Sequence, residues 1–288
     1  MNLYRSYTKR EWLARHVIPN LHLGEQQKDH PQALGVYATN RIKSTKYNIF
    51  NFVPIAFFLQ FTKTVNCFYL VNMILQMIPS ISTNDWFYTL IPLSCMIFLG
   101  MLREAISDYR RYRADEQVNN LIVHTLSMSN EEFISFDQIN DTRHSRLKKT
   151  KTMDVRVGDI LAIHDGETVP ADCILLSTDP SRPDRQGQCF IQTSNLDGER
   201  NLKPKLSITR CEQNFTRVLN KECDVEVVLR ERPVADLYCF QGAEMKIVMD
   251  GEQHDIQLDL EQFIPRGSQV QQSGVLYMLV IFTGRDTK

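Results

Sequence analysis

Between residues 47 and 102 the chain is almost without charge. Residues 47–62, 64–84 and 86–102 contain no Asp, Glu, Lys or Arg, and only Lys63 and Asp85 interrupt them. A bilayer crossing needs about 20 apolar residues, within a range of roughly 17 to 25. Residues 64–84 meet this length and 86–102 sit at its short end. Pro79, Ser80, Ser82 and Asn84 mark a tight turn between the two runs. Two adjacent apolar runs flanked by charge therefore predict an antiparallel pair of membrane spans, over about 64–84 and 86–106. A cation at the bilayer centre costs at least about 2.5 kcal/mol, so Lys63 belongs near the helix entrance, where its long stem can reach the headgroups. Residues 47–62 then form an interfacial approach, bent at Pro54.

Arginine and lysine set the orientation. Arg41, Lys43 and Lys46 precede the first run, and Arg103, Arg110, Arg111 and Arg113 follow the second. Residues 78–85 between them hold no Lys or Arg. The positive flanks face the cytoplasm, which puts both ends of the chain there. Residues 1–46 are polar and basic, with no apolar core followed by a small-residue cleavage site, so they do not read as a signal peptide. The charged stretch YRRYRADEQVNN at 109–120 continues the second span as a helical stalk.

Beyond the stalk the pattern turns to β. Val225, Val227 and Leu229 alternate with charged residues, the period of a half-buried strand. Residues 275–282 are an unbroken apolar run between Gly274 and Gly284, too short to cross a bilayer and so a buried strand. Residues 155–163 are β-branched and aliphatic around a Gly158-Asp159 turn, while 182–187 and 269–274 read as loops. Among 288 residues, 43% hydrophobic and 23% charged, with a net charge of -1, there is no disordered tail, fibre or disulfide mini-protein. That charge balance also leaves no electrostatic footprint for nucleic acid. The seven cysteines form no CxxC pair, so neither a zinc ribbon nor a disulfide framework is signalled.

Asp-Gly-Glu occurs twice, at Asp165-Gly166-Glu167 and at Asp197-Gly198-Glu199. A DG pair on its own signals a turn; context separates the two. VGDI at 157–160, PAD at 170–172, LLS at 175–177, CFIQTSNLDGERNLK at 189–203 and TGRDTK at 283–288 occur in order. In the apolar half, NRIKSTKYNIFNFVP at 40–54, QFTKTVNCFYL at 60–70, LQMIPSIS at 75–82 and REAISDYRRYRAD at 103–115 do the same. Over residues 40–288 the chain resembles the type IV P-type ATPases, the phospholipid flippases, from their first two transmembrane segments to their actuator domain.

The resemblance implies a membrane α+β architecture. Residues 1–46 are a cytoplasmic segment, 47–108 a two-helix transmembrane hairpin, and 109–288 a stalk helix with a β-rich actuator domain resembling a distorted jelly roll. It also assigns roles. ATP phosphorylates an aspartate in another domain, and the actuator carries the carboxylate that orients or deprotonates water to hydrolyse the acyl phosphate. By position the second DGE is that loop, so the catalytic set is Glu199, Gly198 and Asp197, with Glu199 positioning the water. The first DGE falls where the family has a turn before PAD, and is expected to be a strand-connecting turn. Arg200 stands where the family usually has Thr. It can pair with Glu199 and weaken it as a base, or face the phosphate as a bidentate donor.

The polar residues of the apolar region, Gln60, Asn66, Asn72, Gln76 and the adjacent Met77, have two readings. Asn72 and Gln76 share a helix face. Such a stripe either packs against neighbouring helices or forms one wall of a lipid headgroup path. In the family the Gln-rich end of this helix contributes to headgroup selection, and Gln76-Met77 is half of its Gln-Gln pair. No DKTGT and no GxxxxGK[ST] sequence is present. The expectation is thus the N-terminal part of an ATP-driven flippase, moving phospholipid from the outer or lumenal to the cytoplasmic leaflet and inactive alone. ATP and Mg²⁺ would be bound by domains absent here, and the partners are the phospholipid bilayer and a small accessory β subunit. The alternatives are a fragment of a cation-transporting P-type ATPase, against which NLDGERNLK argues, and a non-catalytic membrane-anchored binding protein.

Overall fold

The computed structural model describes residues 15–19, 38–78, 85–126, 147–178, 187–208, 224–230, 236, 238–240, 242–249 and 252–287. It falls into two units. One is Ile42–Asn119; the other joins the described residues before it to those after it.

The first unit is helical. α1 (Ile49–Gln60) ends in a run of i to i−3 backbone bonds, from Phe61 to Phe58, Thr62 to Leu59 and Lys63 to Gln60. That tightening closes the helix, and an extended Lys63 starts α2 (Thr64–Gln76) afresh. α2 has 13 residues, about 20 Å at 1.5 Å each. The expected turn at Pro79, Ser80, Ser82 and Asn84 lies outside the described residues. α3 (Phe87–Asn119) runs for 33 residues without a break, about 50 Å. Among the described residues it is the helix long and apolar enough to cross a membrane by length and composition. Phe98 and Leu99 on it are 66% and 56% exposed, an apolar surface that water does not favour.

An extended segment of the same unit lies along the polar half of α3. Ile42 N–H donates to Asn119 Oδ1 and Asn119 Nδ2 returns a bond to the Ile42 carbonyl, both 2.8 Å. Ser44 gives its N–H (2.6 Å) and its hydroxyl (2.7 Å) to Asp115. Lys46 N–H reaches Asp108 at 2.9 Å and the Tyr47 hydroxyl reaches Glu104 at 3.1 Å. Residues 104, 108, 115 and 119 recur at helical spacing, so one stripe of acidic and amide side chains accepts from the backbone at Ile42, Ser44 and Lys46 and from the hydroxyls of Ser44 and Tyr47.

The second unit is β. Its strands are β1 (Arg15–Val17), β2 (Ile122–Leu126), β3 (Leu147–Lys151), β4 (Ile160–His164), β5 (Asp172–Thr178), β6 (Gln188–Gln192), β7 (Leu202–Leu206), β8 (Asp224–Leu229), β9 (Ala243–Met249), β10 (Glu252–Leu258), β11 (Phe263–Ile264), β12 (Gln269–Gln271) and β13 (Val275–Phe282). They form a four-stranded sheet β1-β8-β9-β10, a six-stranded sheet β11-β5-β13-β4-β2-β3 and a three-stranded sheet β12-β6-β7. The six-stranded sheet is covered on both faces. Tyr277, Leu279 and Ile281 of β13 enter one core with Val225, Val227, Leu229 and Met245 of the four-stranded sheet. Leu276, Met278 and Val280 enter the other with Cys189, Ile191 and Val270 of the three-stranded sheet. A strand buried on both sides needs apolar residues at every position, which accounts for the unbroken run at 275–282. In β8 the alternating Val225, Val227 and Leu229 enter the core, and Val228 on the opposite face is buried as well, at 5% exposed.

The stretch 269–274, expected as a loop, begins as strand β12. Val270 is wholly buried between two glutamines. One alternation is too short a pattern to distinguish from a polar loop, and only the facing strand β6 settles it. Residues 182–186 lie outside the described residues.

Candidate functional site

β6 and β7 pair antiparallel, with Gln192 opposite Leu202, so residues 193–201 form the loop at the end of a hairpin. Thr193, 2% exposed, starts it. Its carbonyl accepts the N–H groups of Leu196 (2.8 Å) and Asp197 (3.1 Å). Gly198 then takes φ +78°. A Cβ there would meet nothing within 4 Å, so the demand for glycine is conformational and not steric. The turn carries Glu199 outward: its side chain is 52% exposed.

Asp197 is fully engaged. It accepts the Thr193 hydroxyl at 2.8 Å, the Glu199 N–H at 2.9 Å, Lys203 Nζ at 2.6 Å and the Tyr238 hydroxyl at 3.2 Å. The bond from Lys203, joined by those from Glu199 N–H and Thr193 and opposed by desolvation, pulls its carboxyl far below the usual carboxylate range. Asp197 thus stays ionised and anchors the loop. Lys203 also pairs with Glu199 at 3.0 Å. Desolvation pushes the Lys203 ammonium down, but its bonds to Asp197 and Glu199 outweigh that and raise it. Arg200 is exposed and, among the described residues, makes no ion pair with Glu199.

The loop rests on a second turn. Asn195 Nδ2 donates to the Gly267 carbonyl at 3.4 Å, and a Cβ on Gly267 would stand 3.2 Å from Leu196 Cδ2. That turn is held by the PAD segment, because the buried Asp172 accepts the Arg266 N–H at 2.7 Å. The first DGE is a different object. Asp165 accepts the N–H groups of Ser273 (2.6 Å) and Gly274 (3.0 Å), and Glu167 accepts that of His164 (2.8 Å). This Asp-Gly-Glu lies in the turn between β4 and β5: Glu167 closes the turn onto the end of β4, and Asp165 ties it to the backbone between β12 and β13.

Sequence reasoning did not single out Lys203, Tyr238, Thr193 or Gly267. Spacing gave no signal for Lys203, because i,i+4 residues are neighbours on a helix, whereas Glu199 lies in a loop and Lys203 on β7. Tyr238 gave none, since only the fold brings it to Asp197.

The polar residues of the helical unit separate into two groups. Gln60 and Asn66 are 3% and 4% exposed. Gln60 Oε1 accepts Lys63 Nζ at 2.8 Å, and its carbonyl accepts Asn66 Nδ2 at 2.9 Å. The Gln60 amide lies against Gly100 of α3, where a Cβ would come within 2.1 Å of Oε1. These residues hold the α1–α2 break against α3. Farther along α2, Gln76 accepts the hydroxyl of Thr89 on α3. Asn72 is half-buried and Met77 exposed. Among the described residues, no three His, Cys, Asp or Glu side chains gather to hold a metal ion.

Two family profiles match this chain: that of the phospholipid-translocating ATPase N-terminal region over residues 22–90, and that of the P-type ATPase actuator domain over residues 135–288. The chain belongs to the phospholipid-transporting P-type ATPases. Within that family it is 34% identical over 252 residues to the probable phospholipid-transporting ATPase IM of Homo sapiens, covering 88% of this chain and 19% of the relative. It is 32% identical to the phospholipid-transporting ATPase DRS2 of Saccharomyces cerevisiae over 252 residues, 88% of this chain and 17% of the relative. The phospholipid-transporting ATPase VD of Homo sapiens is 30% identical over 275 residues, 95% of this chain and 18% of the relative. The chain therefore spans about a fifth of the length of the curated relatives it matches. Its β unit carries the actuator domain, which contains the DGE loop.

Proposed function

We propose that this chain is the N-terminal part of an ATP-driven phospholipid flippase, with Glu199 as the group that promotes dephosphorylation of an aspartyl phosphate held by a domain outside these residues. The observation that carries this reading is the division of labour in the loop. Asp197 is spent on four donors, whereas Glu199 projects half-exposed from a hairpin end on a glycine turn.

An exposed carboxylate of this kind can enter a partner domain's site. There it accepts a proton from water as the water oxygen attacks phosphorus. The bond from phosphorus to the aspartyl oxygen breaks, the aspartate leaves as a carboxylate, and inorganic phosphate is released. ATP with Mg²⁺ supplies the phosphoryl group in the family. No donor set for the metal gathers among the described residues, and no step here is routed through it.

In the same reading the apolar region is a two-helix transmembrane hairpin with both ends of this chain cytoplasmic, and the β unit is of the distorted jelly-roll type. Lipid moves toward the cytoplasmic leaflet as the actuator shifts the membrane helices, with a small accessory subunit as partner. Asn72, Gln76 and Met77 line the headgroup path, while Gln60 and Asn66 support it from the packed side.

The test is Glu199→Gln in the full-length ATPase. Lipid-dependent ATP turnover falls and phosphoenzyme accumulates if the reading holds. Wild-type phosphoenzyme decay in that variant removes it.

A further inference from the structure

Glu199 needs a fixed direction as well as exposure, and its surroundings include a device that supplies one. An isolated ion pair at a protein surface is too weak to hold a long side chain in one place. The Lys203–Glu199 pair is not isolated. Lys203 Nζ is held at 2.6 Å by Asp197 and lies 5.2 Å from the centre of the Tyr238 ring, within the range of a cation–π contact. Only 26% of the Lys203 side chain is exposed. The Tyr238 hydroxyl closes the group by reaching Asp197 at 3.2 Å. Tyr238 itself is set by an Asx turn, its N–H donating to Asp236 Oδ1 at 3.0 Å.

We propose that Lys203 and Tyr238 form a latch on the DGE loop. Lys203 is the positioning residue that aims Glu199, and Tyr238, from a distant loop, braces the lysine. The inference rests on the reading of Glu199 as the hydrolytic carboxylate. It assigns work to two side chains outside the Asp-Gly-Glu motif, one of them 39 positions after Glu199.

The arrangement makes Lys203 separable from the loop's scaffold. Without it, Asp197 keeps Thr193, the Glu199 N–H and Tyr238 as donors. The loop stands, but Glu199 loses its guide. Arginine can replace the charge and both ion pairs, whereas methionine preserves only the stem.

The experiment measures decay of the phosphoenzyme in the full-length ATPase, after labelling with ATP and a chase. Labelling at wild-type level verifies that each variant is folded. Lys203→Met slows decay about tenfold, Lys203→Arg restores most of the rate, and Tyr238→Ala slows it more than Tyr238→Phe, which keeps the ring. In a Glu199→Gln background Lys203→Met adds nothing further, because a positioning residue acts through the group it positions. Slow decay in Glu199→Gln with wild-type decay in Lys203→Met overturns the latch alone. So does an independent, additive effect of Lys203→Met. Wild-type decay in Glu199→Gln overturns the assignment of Glu199 and the latch together.

Discussion

The side-chain oxygen of Asn40 accepts the backbone N–H of Gly284 at 3.3 Å, joining two residues 244 positions apart. The Asn40 amide nitrogen donates in the other direction, to the carbonyls of Thr152 (2.8 Å) and Pro170 (3.1 Å). Asn40 is wholly buried. Thr152 in turn donates its N–H to the Leu121 carbonyl at 2.8 Å. The segments entering and leaving the β unit at residues 38–41, 120–121 and 283–284 are thereby tied by one buried amide and its neighbours.

Removing that amide leaves buried backbone groups without partners, each costing about 1–3 kcal/mol. Asn40→Ala is expected to destabilise the protein by about 3 kcal/mol, since these losses do not simply add. Gly284→Ala acts on the same knot, because a Cβ there would stand 2.1 Å from the Thr39 carbonyl oxygen and Gly284 has φ +58°. Thermal unfolding of the two single variants and the double variant checks this. Each single variant lowers Tm, and the double variant falls by less than the sum of the two.

The segment at 42–47 is fastened to α3 by side chains that accept from its backbone. Asp115→Ala removes both bonds to Ser44, at roughly 0.5–1.5 kcal/mol each. Trypsin should then cut after Lys43 and Lys46 several-fold faster than in the wild type, with cleavage elsewhere unchanged. Mass spectrometry of early digestion products gives the rate at each site.

Gly100 leaves room on α3 for the end of the Gln60 side chain. Gly100→Ala drives a methyl group into Gln60 Oε1 and lowers Tm. In the double variant Gln60→Ala, Gly100→Ala the obstruction is gone, and part of the loss is recovered. A double variant less stable than Gly100→Ala would mean that the Gln60 bonds to Lys63 and Ala56 outweigh the steric relief.

Lys205 makes stability depend on pH. Desolvation pushes its ammonium down from 10.5 to about 8, against the pull of Cys189 and Glu261. Below pH 8 both folded and unfolded chains hold the proton, and the folded state bears the cost of burying the charge. Between about 8 and 10.5 the folded chain releases the proton while the unfolded chain keeps it, so stability rises with pH through that window. Relative to Lys205→Met, the wild type should therefore gain up to about 2–3 kcal/mol from pH 7.5 to 10.5. Denaturant unfolding of both proteins across that range measures the difference. A flat difference would place Lys205 in water.

Much of this was legible in the residues themselves. The unbroken run at 275–282 identified a strand covered on both faces, because such a strand has no solvent side on which to place a polar residue. Alternation at Val225, Val227 and Leu229 identified strand β8 and its core-facing side chains, and the charge-free run ending near Leu102 located α3. The two Asp-Gly-Glu turns were legible as turns, but a turn and a carboxylate are local properties that both copies share, so Glu199 was singled out by the family resemblance alone. Strand β12 was not legible, because Val270 offers a single buried position between two polar ones.

What the sequence determined alone is periodic or local: where apolar surface must be hidden and where a turn needs glycine. The four donors on Asp197, the exposure of Glu199, the bond from Tyr238 and the knot at Asn40 were decided only by tertiary structure. The reason is physical. Those bonds are set by which donors reach a given oxygen within about 3 Å, and the donors come from residues far apart in the chain, which only folding brings into range.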